Sequence, residues 1–160
     1  MLAMDIFTVS LFGHREIQRA SEIEERLEQL LYKLITQKQY VEFLIGRDGE
    51  FDLLAASAIR RATKQSGYGN TSLILVLPYM KAEYRDNKQS YLDYYDEVEI
   101  CADSSEVHYK SAIQVRNRCM VDRSDLVVCC IQHNSGGAYK TVQYAMQHGK
   151  PVRNLADCQL

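Results

Sequence analysis

The chain is 160 residues long, 46% hydrophobic and 25% charged, with 19 basic against 21 acidic side chains and a formal net charge of −2. That size fits one domain with one substantial core, and the charge balance argues against a dedicated nucleic-acid binder while leaving room for a local positive pocket. No apolar run approaches the roughly 20 residues of a membrane helix and no leader pattern opens the chain, so a cytoplasmic setting without a membrane is expected.

The first apolar run, Ile6 to Phe12, is β-branched and aromatic and ends at Gly13, the pattern of a strand. From Glu16 to Gln39, residues Ile17, Ala20, Ile23, Leu27, Leu30, Leu31 and Leu34 recur at spacings of three and four, which predicts a helix with one apolar stripe. Val41 to Ile45 reads as a second strand, closed by Gly46, and a helix is expected from Phe51 to Gln65, stopped by Gly67 and Gly69.

Ser72 to Leu77 is almost wholly apolar, which predicts a strand buried on both faces at the sheet centre, and Pro78 stops it. The tyrosine-rich stretch from Tyr79 to Tyr95 has no clear period and reads as a lid, an interface or a loop holding a short helix. Glu97 to Cys101 is a weak strand, Lys110 to Arg123 a helix, and Leu126 to Ile131 the strongest strand. Ser135-Gly136-Gly137 opens a helix over 138–148, and Pro151 to Leu155 suits an edge strand.

This alternation predicts an α/β protein: a three-layer Rossmann-like domain over 1–160, with a mostly parallel sheet and helices on both faces. Five cysteines (Cys101, Cys119, Cys129, Cys130 and Cys158) show no C-x-x-C spacing and read as reduced, small core residues. Cys129 and Cys130 are neighbours and would point to opposite faces of a strand. The four scattered histidines lack zinc spacing, and no metal or cofactor is expected.

In an open parallel sheet, ligands sit beyond the carboxyl ends of the strands. Three glycine loops occupy such positions. In Gly13-His14-Arg15, Arg15 offers a planar fork to phosphate and His14 a hydrogen bond to ribose or phosphate. In Gly46-Arg47-Asp48-Gly49-Glu50-Phe51-Asp52, Asp52 is a helix-dipole partner or a ribose acceptor. Phe51 either continues the core stripe or stacks a base, and the stripe favours the core. Ser135-Gly136-Gly137 follows the strongest strand and presents backbone amides to an anion, with Thr141 able to add a hydroxyl. Arg116 is a weaker counter-charge, Tyr79 a stacking candidate, and Arg118 with Asp122 an intrahelical ion pair. Asp125 is read as helping to end its helix before the strand.

Taken in order, these segments resemble the SLOG superfamily, the Rossmann-like group of DprA-like proteins and LOG phosphoribohydrolases. Within it they look most like the small bacterial YpsA-like proteins of unknown function. The matching residues are Gly13-His14-Arg15, Gly46-x-x-Gly49-x-Phe51-Asp52, Leu77-Pro78-Tyr79, Met120 to Val128, Ser135-Gly136-Gly137 and Thr141-Val142-x-Tyr144-Ala145. The resemblance implies a doubly wound sheet, a pocket for a nucleotide-derived ligand and self-association. LOG enzymes carry P-G-G-x-G-T-x-x-E with a catalytic glutamate. Here Ser135 replaces the proline, the threonine comes one residue late at Thr141, and Gln143 and Tyr144 stand where the carboxylate would.

The leading expectation is therefore a sensor or regulatory protein that binds a nucleotide-like phosphate ligand, as a homo-oligomer. One alternative is an N-glycosidase or deoxyribosyltransferase-like enzyme using Asp52 or Glu50. Another is a partner-binding module built on the tyrosine-rich stretch.

Overall fold

The computed structural model describes residues 3–157; Cys158 lies outside them. Six strands form one sheet in the order β4-β3-β2-β1-β5-β6. They are β1 (Ile6–Gly13), β2 (Tyr40–Ile45), β3 (Thr71–Leu77), β4 (Glu97–Ile100), β5 (Leu126–Cys130) and β6 (Val152–Asn154). Every pairing is parallel. Seven helices connect them among the described residues: α1 (Ala20–Gln37), α2 (Glu50–Ser66), α3 (Ala82–Asp86), α4 (Lys88–Tyr94), α5 (Ala102–Ser105), α6 (Tyr109–Asp122) and α7 (Gly137–Gln147).

Alternation along the strands builds a core on each face. Leu11, Phe43, Ile45, Leu73, Leu75, Val128 and Cys130 pack with the stripes of α1 and α2. Their neighbours Phe12, Leu44, Ile74, Val76 and Val127 meet Met120 and Val121 of α6 and Ala145 of α7. The result is the three-layer arrangement expected from the sequence.

Two aspartates set the register of β5 against β1 and of β4 against β3. The Asp125 carboxylate accepts from the Thr8 amide at 2.8 Å, while its own amide donates to the Thr8 carbonyl. Asp96 repeats this clasp on Leu73. Asp125, read from sequence as a helix terminator, thus also pins the start of β5 to β1.

Four details differ from the sequence reading. The strand β3 is next to the edge strand β4, and β2 and β1 hold the centre; β3 is buried on both faces because α2 and α6 cover it. The first helix starts at Ala20 rather than Glu16. Residues ahead of it are held open, since the Ile17 amide donates to Glu50 and the Gln18 amide to Gln132. Arg19 adopts the left-handed conformation (φ 58°) that begins the helix.

The tyrosine-rich stretch folds into α3 and α4, helices too short to show a period, and Tyr84, Tyr91 and Tyr95 are buried. Tyr91 meets Tyr84 edge-on with ring centroids 5.3 Å apart. This segment is a satellite of the core, which matches the short-helix reading of the stretch rather than a free lid or an exposed tyrosine interface. Finally, Arg118 lies over the Tyr144 ring and Asp122 accepts from the Tyr144 hydroxyl, in place of the expected Arg118–Asp122 pair.

Candidate functional site

The strand order reverses between β1 and β5: the chain runs outward from β1 through β2 and β3 to β4, then crosses back to β5 and β6 on the other side. The loops that follow adjacent strands turn to opposite faces at such a switch point and leave a crevice at the carboxyl ends. Here it is a cleft of about 490 Å³, walled by Gly13 to Glu16 after β1, Gly46, Asp48 and Asp52 after β2, and His133, Gly136, Gly137 and Ala138 before and within α7. Ile113, Arg116 and Asn117 of α6 close it from the side.

The floor is a buried polar network. Arg116 is 1% exposed; its guanidinium donates to the Val76 carbonyl at 2.7 Å, the Asp48 carboxylate at 2.6 Å and the Asn117 side-chain carbonyl at 2.9 Å. Asn117 donates onward to the Thr141 hydroxyl, which donates to the Gly137 carbonyl. The β2 loop is thereby tied to the glycine loop ahead of α7. A side chain at Gly46 would place its Cβ 2.9 Å from the Asp48 carboxylate and 3.2 Å from Arg116, so glycine is needed there for the guanidinium to pass.

Two carboxyls face each other with opposite tendencies. Burial would raise Asp48, but the Arg116 guanidinium, with Lys81 and Arg15 further off, holds it below the ordinary carboxylate value. Asp52 is pushed up to about 7, first by burial and then by the Asp48 charge, against the Asp48 amide that donates to it at 2.9 Å. Near neutral pH Asp52 therefore carries an exchangeable proton.

On the other wall, His14 and His133 stack with ring centroids 3.6 Å apart and planes 9° from parallel. The His133 amide donates to His14 Nε2, which places the His14 proton on Nδ1. Burial, then the neighbouring His133, lowers His14 below its usual value. His133 Nδ1 is 3.0 Å from the Ser135 hydroxyl.

Of the residues singled out from sequence, Gly13, His14, Arg15, Gly46, Asp52, Arg116, Gly136 and Gly137 line this cleft. Several others are drawn elsewhere. Phe51 is fully buried against Gly13 and has no face for a base. Gly49 is the seat of the β1 loop, since a Cβ there would lie 2.4 Å from the Arg15 Cα. Arg47 turns to the Tyr95 hydroxyl and Glu83. Glu50 accepts from the Ile17 amide. Tyr79 sits outside the lining, beside Lys81. Ser135 holds His133, and Thr141 is wholly buried in the network.

The sequence reading missed Asn117, Ile113, His133 and Glu16 in the wall. Asn117 stood beside Arg116, a signal that a polar helix face was turning inward. The pairing of His14 with His133 spans 119 residues and had no local signal.

The anion-binding capacity also concentrates. The expected three loops all carry glycine, but the Glu50 amide of the second donates to the Arg15 carbonyl of the first. Amides of Ile17 and Gln18 are likewise spent on side chains. The start of α7 differs. Gly136 has φ 92°, which favours glycine, and the helix has no side-chain cap.

No family model matches the sequence, and a search of curated proteins finds no match. Solved structures do. DNA processing protein A from Helicobacter pylori, a single-stranded DNA binder, superposes with a TM-score of 0.60 at 16% identity, over 91% of this chain and 63% of that one. Its counterpart from Streptococcus pneumoniae gives 0.61 at 17%, over 92% and 49%. This chain shares the Rossmann-like fold of these two proteins. It spans about half to two-thirds of those two proteins. The molybdenum cofactor carrier protein of Chlamydomonas reinhardtii shares the fold at a TM-score of 0.57 and 16% identity, over 92% of this chain and 75% of that one. No helix among the described residues is long and apolar enough to cross a membrane.

Proposed function

We propose that the chain acts as one binding domain that takes a nucleotide or nucleotide-derived phosphate ligand in the cleft, as a sensor or regulatory protein of the YpsA-like kind. The observation that carries this reading is the uncapped start of α7 at the β1–β5 switch point, with Gly136 in a conformation that turns the loop into the helix. Phosphate there would accept amides of Gly137 and Ala138 and gain from the helix dipole. Arg15, exposed at the rim, supplies the mobile counter-charge. Arg116 fixes the floor and is already paired with Asp48.

A thermal-shift series with nucleoside monophosphates, ADP-ribose, cyclic dinucleotides and a single-stranded oligonucleotide tests this. Stabilisation by at least one phosphate-bearing small molecule, lost in Gly137→Asp, is the expected result. The new carboxylate would repel the anion, while its Cβ meets only the Gln114 amide at 3.0 Å. Stabilisation by the oligonucleotide alone would move the protein toward nucleic acid, which its charge balance argues against but the Helicobacter pylori relative binds. Self-association is part of this proposal and is read by light scattering.

A second reading has one specific observation in its favour. Asp52 is the only carboxyl of the two proposed catalytic candidates that reaches the cleft, and it titrates near neutrality. An enzyme cleaving a nucleotide N-glycosidic bond needs such a proton donor. Release of free base from a nucleotide series, abolished in Asp52→Asn, would establish it.

A further inference from the structure

Two histidines meet on the cleft wall from distant parts of the chain. His14 follows β1 and is 7% exposed, while His133 follows β5 and is exposed. Their rings lie face to face, with centroids 3.6 Å apart and planes 9° from parallel. Two imidazolium ions would repel at contact distance, so the stacked pair takes at most one added proton.

Hydrogen bonding selects the ring that takes it. His14 Nε2 accepts the His133 amide, and a proton added there would break that bond. Burial and the neighbouring His133 also lower the His14 pKa. Its other nitrogen, Nδ1, carries a proton and meets no acceptor among the described residues, although the side chain is nearly buried and lines the cleft. Such an unspent donor calls for an acceptor supplied from the cleft.

His133 is the outer ring. Its Nδ1 is 3.0 Å from the Ser135 hydroxyl, and its Nε2 has no partner among the described residues. A neutral ring with its proton on Nε2 accepts the serine proton at Nδ1. In the imidazolium both nitrogens are donors, so Nδ1 must donate to the Ser135 oxygen and the serine proton is released to bond elsewhere. Ser135 immediately precedes Gly136, where α7 begins without a side-chain cap. One proton on His133 therefore adds a positive charge and a hydroxyl donor to the same loop.

In the empty cleft that charge is opposed by Arg15 and by the positive end of α7. An anion between them reverses the sign. Of the other charged side chains lining the cleft, Asp48 is paired with Arg116 at 2.6 Å and with Lys81, Asp52 is buried and Glu16 is exposed. The first turn of α7 holds no charged residue.

We propose that His133 is the proton-carrying ligand of this site, taking up one proton and freeing the Ser135 hydroxyl as a dianion binds at the start of α7. The inference rests on the reading of that start as the phosphate site and adds proton linkage to it. His14 stays neutral beneath the imidazolium and lends its Nδ1 proton to the guest.

Sulfate tests this on the full chain, because it remains a dianion across the working range and any proton taken up belongs to the protein. Its dissociation constant should be at least about tenfold smaller at pH 6 than at pH 8. Calorimetry at pH 7 in two buffers of different ionisation enthalpy should show net proton uptake. The titration midpoint of the His133 Cε1 proton, assigned by its loss in His133→Gln, should rise by about one pH unit with sulfate, and that of His14 by less. The pH dependence should flatten in His133→Gln. Ser135→Ala should weaken sulfate about three- to tenfold at pH 6 and less at pH 8, since only the protonated loop turns the hydroxyl to the anion. Saturable binding at α7 with equal constants at both pH values would overturn the inference and leave the phosphate site standing. Proton uptake with the His133 midpoint unmoved would do the same, by placing the proton on Asp52 or His14. No saturable change at the Gly137 and Ala138 amides would overturn both. The parent protein decides the matter even if a variant misfolds.

Discussion

Asp52 is where the fold gives up stability, and replacing it with asparagine measures how much. The carboxyl is 8% exposed and titrates near 7 in the folded chain, against an ordinary value of 3.8. A folded-state value raised above the unfolded one means that the folded protein binds the extra proton. The stability linked to Asp52 is therefore complete below about pH 3.8 and drains away as pH rises through about 7. Moving a proton equilibrium that far is equivalent to on the order of 4 kcal/mol. Asparagine keeps an oxygen to accept the Asp48 amide and carries no charge. Asp52→Asn should thus be more stable than the parent by about 2 to 4 kcal/mol at pH 8, with the gain shrinking to within about 0.5 kcal/mol near pH 4. Urea unfolding at intervals between those limits reads both numbers. A variant no more stable at pH 8, or a difference that does not change with pH, would refute the claim that the folded protein buries a reluctant carboxylate. A cost of this size, retained in the cleft, is what a functional carboxyl would leave behind.

Three further outcomes follow from the same geometry. Arg116→Ala strands the Asp48 carboxylate and the Val76 carbonyl, and chemical denaturation should show a loss of about 3 to 5 kcal/mol. Gly13→Ala drives a methyl to 2.2 Å from the Phe51 ring, deep in a rigid core, so a loss of about 1 to 3 kcal/mol is expected, with partial recovery in Gly13→Ala/Phe51→Leu. His14 has its pKa lowered on folding, so its contribution is present above its ordinary value of 6.5 and is lost as pH falls below it; the urea midpoint of His14→Asn should fall less than the parent's on acidification from pH 7.5 to pH 5.

Most of the architecture was legible because it rests on local pattern. The stripe of Ile23, Leu27, Leu30, Leu31 and Leu34 is what α1 buries, and the apolar runs became the inner strands. Strand order was not legible, since β3 and β1 are about equally apolar and only packing decides which is central. Glycine marked the right loops for reasons that differ from ligand approach. Gly13 makes room for Phe51, Gly46 for Arg116 and Gly49 for the β1 loop, leaving Gly136 and Gly137 as the pair that faces the cleft. Side-chain commitments made at long range, such as Glu50 to Ile17 or Arg47 to Tyr95, removed candidates that local spacing had promoted. Arg116 shows the same effect in reverse, because an arginine on a helix surface and one spanning two loops in the interior look alike until the sheet is assembled.

Phosphate is proposed to be received at the start of α7. Amide chemical shifts of the 15N-labelled chain, followed during titration with a nucleoside monophosphate and separately with inorganic phosphate, test it most directly. The largest saturable changes should fall on Gly136, Gly137 and Ala138, with smaller ones at Arg15 and His14. Shifts confined to residues away from the cleft, such as Arg26 and Lys33 of α1 with Arg153 of β6, or an unperturbed α7 terminus at millimolar ligand, would contradict it.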